Sequence, residues 1–281
     1  MFTLKQSRFP LIGVLTALLL ILSSCTPAEP SPPEPVEEGP PAATAIPPTA
    51  TLEPTPEILN LESEAEGACQ HPFYPIRSDT TWTYLIHSPE ADEEGQFSLS
   101  YAEITEESFQ STMSLQDRET GEIFTATATW YCDESGLISS EYATINFTQF
   151  EGLDFETLDY EGVYLLPAEE WEVGASWNSS YQVKADFSME GISVNTDMEI
   201  DILNTIAGIE EVTVSAGTFP EAYRVDSTGT ISIDLGGDVG AAFSDLPLDY
   251  STWYVEGVGM VRQETMDETM GGGTTELYSV E

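Results

Sequence analysis

Hydrophobic and polar residues alternate with a period of two over much of the chain beyond residue 80. The clearest segment is Ile192–Ile202, where apolar side chains from Ile192 to Ile202 share one face and acidic or polar side chains such as Asp197, Glu199 and Asp201 share the other. This period is typical of a β-strand with one buried face and one solvated face. The same alternation occurs in 97–101 and 124–132.

Turn signals rich in Gly, Asp and Asn separate these segments, and they bound further candidate strands. The candidates are Thr81–His87, Leu137–Phe147, Val163–Leu166, Trp177–Phe187, Val212–Ser215, Tyr223–Leu235, Trp253–Arg262 and Glu276–Val280. The best helix candidate is the short stretch Val239–Leu246. Many short strands with almost no helix predict an all-β protein built on a single strongly curved antiparallel sheet, a half-barrel or open barrel with few short helices.

The first residues have the organisation of a signal peptide, which we assign to 1–24. Lys5 and Arg8 precede an apolar run from Leu11 to Leu22, and the small pair Ser23-Ser24 precedes Cys25. The tetrad Leu22-Ser23-Ser24-Cys25 resembles the bacterial lipoprotein signal, which implies cleavage before Cys25 and acylation of its thiol. An ordinary secretory signal with an incidental cysteine is the alternative.

Residues 25–67 follow as a segment of low complexity, and the remaining 68–281 form the predicted domain. Eleven of the 18 prolines lie in this segment, together with Thr, Ala and Glu. Such a composition cannot bury a core and favours an extended, partly polyproline II chain. We therefore expect a lipidated Cys25, a disordered stalk and one acidic β domain.

Composition narrows the range of partners. The chain has 281 residues, with 50 Asp and Glu against 7 Lys and Arg, a net charge of -43, while 41% of the residues are hydrophobic. The apolar content suffices for a packed core, and the negative charge argues against nucleic acid as a partner. Adaptation to salt, binding of divalent cations and solubility are three open explanations for the acidity.

Two cysteines remain after Cys25, and a disulfide between Cys69 and Cys132 is the favoured interpretation outside the cytoplasm. Such a bond would fasten the junction of stalk and domain to the sheet. The alternative is a metal site with His71, but zinc requires four ligands with paired spacing. We predict no metal and no cofactor.

Residues that could carry catalysis are scarce. The chain has two histidines, His71 and His87, and no Gly-x-Ser-x-Gly motif. The acidic residues are so numerous that no pair of them stands out, and Asp234–Asp238 is a weak calcium candidate. Arg77, Arg224 and Arg262 are expected to form ion pairs with carboxylates or to stack on aromatic rings. We therefore expect a protein that is not an enzyme.

Tryptophans near strand starts and ends provide the candidate binding residues. Trp82, Trp130, Trp177 and Trp253 could line an apolar cavity inside a curved sheet, or they could belong to a filled core. The concave face of an open barrel must be covered by side chains, a lid or a ligand.

Three segments together resemble a known group of proteins. They are 72–84, with its Phe-Tyr-Pro and Trp-x-Tyr elements, 216–225, with Ala-Gly-Thr-Phe-Pro, and 253–262, with Trp-Tyr-Val-Glu-Gly-Val-Gly. They resemble uncharacterised bacterial envelope lipoproteins labelled TapB-like or as a domain of unknown function, in which a Gly usually stands at the position of Asp79. The resemblance implies a curved antiparallel sheet distantly similar to the LolA/LolB lipoprotein carriers, and it implies no catalytic residues.

Three hypotheses for function follow. The first is a lipid-anchored cell-envelope protein whose β domain binds an apolar ligand, such as a lipid, or an envelope protein partner. The second is a structural or assembly accessory of a surface machine, and the third is a hydrolase dependent on carboxylates or calcium. A cavity larger than about 300 Å³ would favour the first hypothesis.

Overall fold

The computed structural model describes residues 61–88, 95–116, 121, 123–141, 153–189, 192–234, 242–265 and 272–281. The predicted signal peptide, Cys25 and most of the stalk lie outside these residues, as does the loop that contains Asp238. Residues Leu52–Glu281 form one compact unit. In the described part of the chain, no helix is both long and apolar enough to cross a membrane.

Twelve strands account for most of the described residues, together with two short 3-10 helices at Gly67–Cys69 and Ala168–Glu170. The strands are β1 (Thr81–His87), β2 (Gly95–Ala102), β3 (Ser108–Gln116), β4 (Ile123–Asp133), β5 (Gly136–Ser139), β6 (Leu153–Gly162), β7 (Ser176–Met189), β8 (Ile192–Val214), β9 (Gly217–Asp234), β10 (Ala242–Val255), β11 (Gly259–Thr265) and β12 (Gly273–Val280).

All twelve strands belong to one antiparallel sheet, in the order β5-β4-β3-β2-β1-β12-β11-β10-β9-β8-β7-β6. Every neighbouring pair is consecutive in the chain except β1 and β12, which pair from Trp82 with Val280 to His87 with Thr274. The sheet curls until its two edge strands approach each other. The predicted class, a single strongly curved antiparallel sheet in the form of an open barrel, is therefore confirmed.

The seam of the barrel lies between β5 and the segment that follows β6. The Leu137 N–H donates to the carbonyl of Leu165 at 2.9 Å, and the Tyr164 N–H donates to the carbonyl of Leu137 at 2.7 Å. Gly136 makes this approach possible, because its φ is +129° and a Cβ there would lie 2.1 Å from the Leu165 carbonyl oxygen. The barrel is thus nearly closed by a few hydrogen bonds at one end of the seam.

Residues 61–80, here called the N-terminal plug, cover one end of the barrel. The Leu61 N–H donates to the Gly257 carbonyl at 2.7 Å, and the Gly257 N–H donates to the Pro72 carbonyl at 2.8 Å. The Trp82 indole N–H reaches the Val258 carbonyl at 2.9 Å. Leu61, which the sequence assigns to the stalk, therefore contacts the barrel.

The disulfide between Cys69 and Cys132 joins the plug to the end of β4, with 5.1 Å between the two Cα atoms. The predicted pairing is present, and it fastens the start of the domain to the sheet. Both sulfurs are buried in the larger of two hydrophobic clusters, which contains most of the tryptophans. The smaller cluster lies on β7, β8 and β9 and contains Tyr181, Val183, Ile200, Ile202 and Ile231.

Element boundaries differ from the prediction in several places. The proposed helix Val239–Leu246 is wrong for its described residues, since Ala242 begins β10 and pairs with Asp234 of β9. The predicted strand Val163–Leu166 is wrong as well, since only an isolated bridge at Leu165 forms there. The predicted strand Val212–Ser215 is the end of the long strand β8, which stops at Val214, and Trp253–Arg262 is divided between β10 and β11. Strands β3 and β6 had not been predicted. Bulges in β8 at Ile206–Gly208 and Glu210–Val212 obscure its single alternation.

Candidate functional site

A cavity of about 580 Å³ lies inside the barrel. Alternate residues of each strand point toward it, so that Trp82, Tyr84 and Ile86 of β1 all line its wall. The wall continues through Phe97 and Leu99 of β2 and crosses the sheet to β7–β11. The cavity therefore runs along the interior of the barrel, and its end near Trp82 is next to the plug.

Aromatic rings close the cavity toward the plug. Tyr74 of the plug lies 5.8 Å from Tyr101, 5.6 Å from Trp130 and 6.2 Å from Tyr164, measured between ring centroids. Phe109 stacks on Trp130 with a centroid distance of 5.7 Å. These contacts make the plugged end rigid and apolar.

The four tryptophans proposed for a cavity do not share one environment. Trp82, Trp130 and Trp177 line it. Trp253 lies on the opposite face of β10, since its neighbours Thr252 and Tyr254 are the ones that line the cavity. Its indole N–H donates to Glu210 at 2.6 Å, and Arg262 lies 5.4 Å from its ring centroid.

Tyrosines contribute half of the side-chain hydroxyl groups of the wall, and sequence reasoning did not identify them. The lining tyrosines are Tyr74, Tyr84, Tyr101, Tyr164, Tyr181, Tyr250 and Tyr254. Burial raises the pKa of each of them, to about 12 for Tyr250, and to higher values for Tyr84 and Tyr181. All seven are therefore neutral at physiological pH. The Trp-x-Tyr pair of Trp82 and Tyr84, on consecutive inward positions of β1, is the signal that could have found one of them.

Some of these hydroxyls already have partners. The Tyr84 hydroxyl donates to the Met260 carbonyl at 3.1 Å, and the hydroxyls of Tyr164 and Tyr254 lie 3.4 Å apart. Burial of a hydroxyl without a hydrogen bond is unfavourable, so these contacts stabilise the aromatic wall.

A line of polar side chains crosses the inner face of β7, β8, β9 and β10. Ser227 Oγ donates to Asn204 Oδ1 at 2.6 Å, Asn204 Nδ2 donates to Ser179 Oγ at 3.3 Å, and Ser179 Oγ donates to the Val163 carbonyl at 2.6 Å. Tyr250 is the cross-strand partner of Ser227 at the other end of the line. From Ser227 through Asn204 and Ser179 to the Val163 carbonyl, each donor points in the same direction.

Ser139 is an exception to this pattern of satisfied groups. Its side chain is 3% exposed and lines the cavity next to its cross-strand partner Trp130. Its Oγ has no hydrogen-bond partner among the described residues. The Trp130 indole N–H donates instead to Ser111 Oγ at 2.9 Å.

Charged side chains lie on the other face of the sheet, where they pair with one another. Arg224 contacts Asp226 at 3.0 Å and Glu210 at 3.6 Å, and Arg262 contacts Glu264. In the plug, Arg77 contacts Asp79 at 2.9 Å and Glu64 at 3.8 Å. The predicted ion pairs of these three arginines are thus present, and Arg262 also stacks on an aromatic ring.

His71 is buried in the plug rather than placed at a metal site. The Phe73 N–H donates to His71 Nδ1 at 3.2 Å, so the proton is on Nε2, which donates to the Leu166 carbonyl at 3.0 Å. Burial lowers the pKa of His71 to about 4. Among the described residues, no group of three or more His, Cys, Asp and Glu side chains is arranged to hold a metal ion.

A second concavity, of about 650 Å³, lies on the outer face of β6–β10 and is wide open. Gly162 and Gly229 form its floor, because a Cβ at either position would lie within 2.2 Å of a neighbouring carbonyl oxygen. Glu161, Asp201 and Asp249 stand around it. Because this concavity is open to solvent, the more enclosed interior cavity is the better candidate for a binding site.

Comparison with known proteins supports the fold. The family model DUF3108-like matches residues 80–274. The structure is similar to a putative lipoprotein from Parabacteroides distasonis, with a TM-score of 0.52 and 16% identity over 75% of this chain and 99% of that one. It is also similar to a putative exported protein with a YmcC-like fold from Bacteroides fragilis, with a TM-score of 0.50 and 12% identity over the same shares of the two chains. No curated protein matches the chain.

Proposed function

The chain belongs to the DUF3108-like family, whose model spans nearly the whole barrel, and on that premise we propose that the barrel binds an apolar ligand. The observation that carries the proposal is the interior cavity of about 580 Å³. Small-molecule sites are usually concave, mostly apolar and ~300–1,000 Å³ in volume, with a few polar groups that fix orientation. The wall, built largely of aromatic and aliphatic side chains with a smaller number of polar ones, meets that description.

The proposed location is the outer surface of a bacterial membrane, with Cys25 as the lipid anchor. The signal-like residues before Cys25 support this location, and so does the similarity to proteins described as a putative lipoprotein and a putative exported protein. Two acyl chains hold a protein stably at a bilayer, whereas one chain holds it only weakly.

Anchoring is tested by replacing Cys25 with Ala and growing cells with radiolabelled palmitate. We expect label in the wild-type chain, which should sediment with membranes, and no label in the Cys25→Ala variant. A Ser24→Ala variant is the control and should remain labelled, because only the cysteine carries the thiol.

We further propose that binding is not followed by catalysis. The described residues that line the cavity include no His, Cys, Asp, Glu, Lys or Arg, the side chains that most often serve as general acids, general bases and ion ligands. A carrier or sensor role, of the kind that the distant resemblance to LolA/LolB-type proteins suggests, is therefore preferred to a hydrolase.

The binding proposal is tested with diphenylhexatriene, an uncharged hydrocarbon that fluoresces in apolar sites. The protein used is residues 26–281, exported behind a cleavable signal peptide so that the disulfide can form, and native mass spectrometry precedes the titration. We expect a bound adduct or saturable probe binding, with energy transfer from Trp82, Trp130 and Trp177. Neither adduct nor saturable binding would overturn the proposal and favour docking to a protein.

A matched pair of variants tests whether the probe binds inside the barrel. Ala126 lines the cavity from β4, and Thr127 beside it is exposed on the other face. Ala126→Trp should fill part of the cavity and lower probe affinity by about tenfold or more, which corresponds to about 1.4 kcal/mol. Thr127→Trp should leave the affinity unchanged, and equal effects of the two variants would contradict an interior site.

A further inference from the structure

The wall of the cavity has no charged side chain among its described residues, although the chain has a net charge of -43. The chain has 50 acidic residues, yet the described residues that line the cavity contain no acidic or basic side chain. The ionisable groups in the wall are tyrosines, and burial keeps them protonated by raising their pKa values. A carboxylate, phosphate or ammonium group placed there would lose its hydration without finding an opposite charge.

The wall nevertheless has one hydrogen-bonding position that is vacant. Among the buried side-chain oxygens of the described residues that lack a hydrogen-bond partner, Ser139 Oγ is the one whose residue lines the cavity. A buried hydroxyl without a partner is rare in native proteins, because it loses its bonds to water and gains none in return. The position therefore suits a polar atom supplied from the cavity side.

The other buried serines of the described wall, and its asparagine, do not offer an equivalent position. Ser179, Asn204 and Ser227 are bonded to one another along their line, and Ser111 accepts the Trp130 indole N–H. Ser139 is the last residue of β5, and its cross-strand partner Trp130 belongs to an aromatic group with Tyr164 and Tyr74. An occupant held there would have its polar atom at Ser139 and its apolar part along the aromatic wall.

We propose that the natural ligand is an uncharged lipid-like molecule, a long hydrocarbon with one neutral hydrogen-bonding group such as an alcohol, ester or amide, and that this group binds Ser139 Oγ. The inference rests on the proposed function, and it names the class of ligand for the same cavity. A hydroxyl or carbonyl oxygen fits because the Ser139 hydroxyl can both donate and accept.

The experiment is displacement of diphenylhexatriene from residues 26–281 by three molecules with the same chain, dodecan-1-ol, dodecanoate and dodecyltrimethylammonium. All three are used below the concentrations at which they form micelles. We expect dodecan-1-ol to displace the probe with an affinity at least about 50-fold above that of either ion, because burial of an unpaired charge is strongly unfavourable. Equal displacement by dodecanoate or by the cation would overturn the proposal.

Two serine variants test the position of the polar group. Ser139→Ala should lower the affinity for dodecan-1-ol by about three- to tenfold, the value of one hydrogen bond. The affinity for diphenylhexatriene should stay unchanged, because the probe has no polar atom. Ser100→Ala is the control, since Ser100 alternates with the lining residues Leu99 and Tyr101 on β2 and should change neither ligand.

The outcomes separate this proposal from the one on which it rests. Absence of diphenylhexatriene binding contradicts the binding function itself. Binding of the probe without preference for the alcohol, or with full alcohol affinity in Ser139→Ala, contradicts the ligand class or its position while the binding function stands. Full alcohol affinity in Ser139→Ala is also the result expected if an ordered water, rather than the ligand, is hydrogen-bonded to Ser139 in the loaded protein.

Discussion

Adjacent residues of one strand have opposite environments across the thickness of this sheet. Thr252 and Tyr254 line a cavity without charges, whereas Trp253 between them contacts Glu210 and Arg262. Along this strand, one side chain therefore faces the uncharged cavity and the next faces the charged side chains on the other side of the sheet. Burial holds the tyrosines of the cavity wall and His71 of the plug neutral, and His71 is the one whose titration is easiest to measure.

His71 should make the protein less stable in mild acid. In the folded chain its pKa is about 4, against 6.5 for the unfolded side chain. Between those values the unfolded chain binds a proton that the folded chain does not, so stability is fully present above about pH 6.5 and is lost as the pH falls toward about 4. The loss attributable to His71 is about 3 kcal/mol.

The measurement is urea unfolding of the wild type and His71→Asn at several pH values. Carboxylates titrate in both proteins, so the difference between their free energies of unfolding isolates His71. That difference should fall by about 3 kcal/mol from about pH 7 to about pH 4. A difference independent of pH would mean that His71 is protonated equally in both states.

The sequence predicts which residues lie in strands better than it predicts which face each one occupies. Residues 251–255 are all buried, because the sheet is covered on one side by the cavity wall and on the other by packed side chains. Such a stretch shows no alternation of hydrophobic and polar residues, so the sequence could not tell that Trp253 faces away from the cavity while Trp82 lines it. Ser139 carries no sequence signal at all, since its role depends on partners that it lacks.

At the scale of elements, one disulfide and a few hydrogen bonds between segments distant in the chain hold the sheet in its curved shape. The disulfide joins the plug to β4, and the hydrogen bonds of Leu137 join β5 to the segment after β6. Strand β1 was predicted with the bounds it has, since its Trp-x-Tyr alternation is regular and turn residues bound it. Strand β6 was missed because acidic residues interrupt its alternation, and pairing with β7 overrides its weak β propensity.

Removal of the disulfide should destabilise the protein substantially. The two cysteines are 63 residues apart, and the loop-closure model gives about 4 kcal/mol for a loop of that size. The Cys69→Ser/Cys132→Ser double variant should therefore lose about 4 kcal/mol in chemical denaturation. Reduction of the wild type should give the same loss, and a loss below about 1 kcal/mol would mean that the plug docks equally well without the bond.

Gly136 should be required for the seam. Gly136→Ala combines a strained φ with a clash against the Leu165 carbonyl, whereas Gly174→Ala has a φ of +97° but no atom within 4 Å of the new Cβ. We expect the free energy of unfolding to fall by about 3 kcal/mol or more in Gly136→Ala and by about 1 kcal/mol in Gly174→Ala. Equal losses, measured by urea unfolding, would show that the close approach at the seam contributes nothing.

At the scale of the whole molecule, an uncharged interior is surrounded by a strongly anionic chain. The net charge of -43 repels itself, and the ion pairs of the few arginines offset only a small part of it. The general architecture was predictable, because alternation and turns appear throughout the sequence. The closure of the sheet was not, since it depends on the β1–β12 pairing and the seam, which join distant parts of the chain.

Salt should stabilise the protein. Screening of the self-repulsion by NaCl should raise Tm by at least about 3 °C between low salt and physiological ionic strength or above, equivalent to about 1 kcal/mol for a chain of this size. KCl at the same ionic strength should act equally. A much larger rise with CaCl₂ at matched ionic strength would show specific binding of a divalent cation and replace screening as the explanation.

The single pairing between strands that are not consecutive has a consequence for the order in which the chain folds. β1–β5 and β6–β12 are two meanders whose internal contacts are local, and local contacts form quickly. Their junction requires β12, which follows the other eleven strands in the chain. Until β12 has been synthesised, the edge of β1 in the first meander therefore stays unpaired, and this interval is when the protein is most open to chaperones and to misassociation.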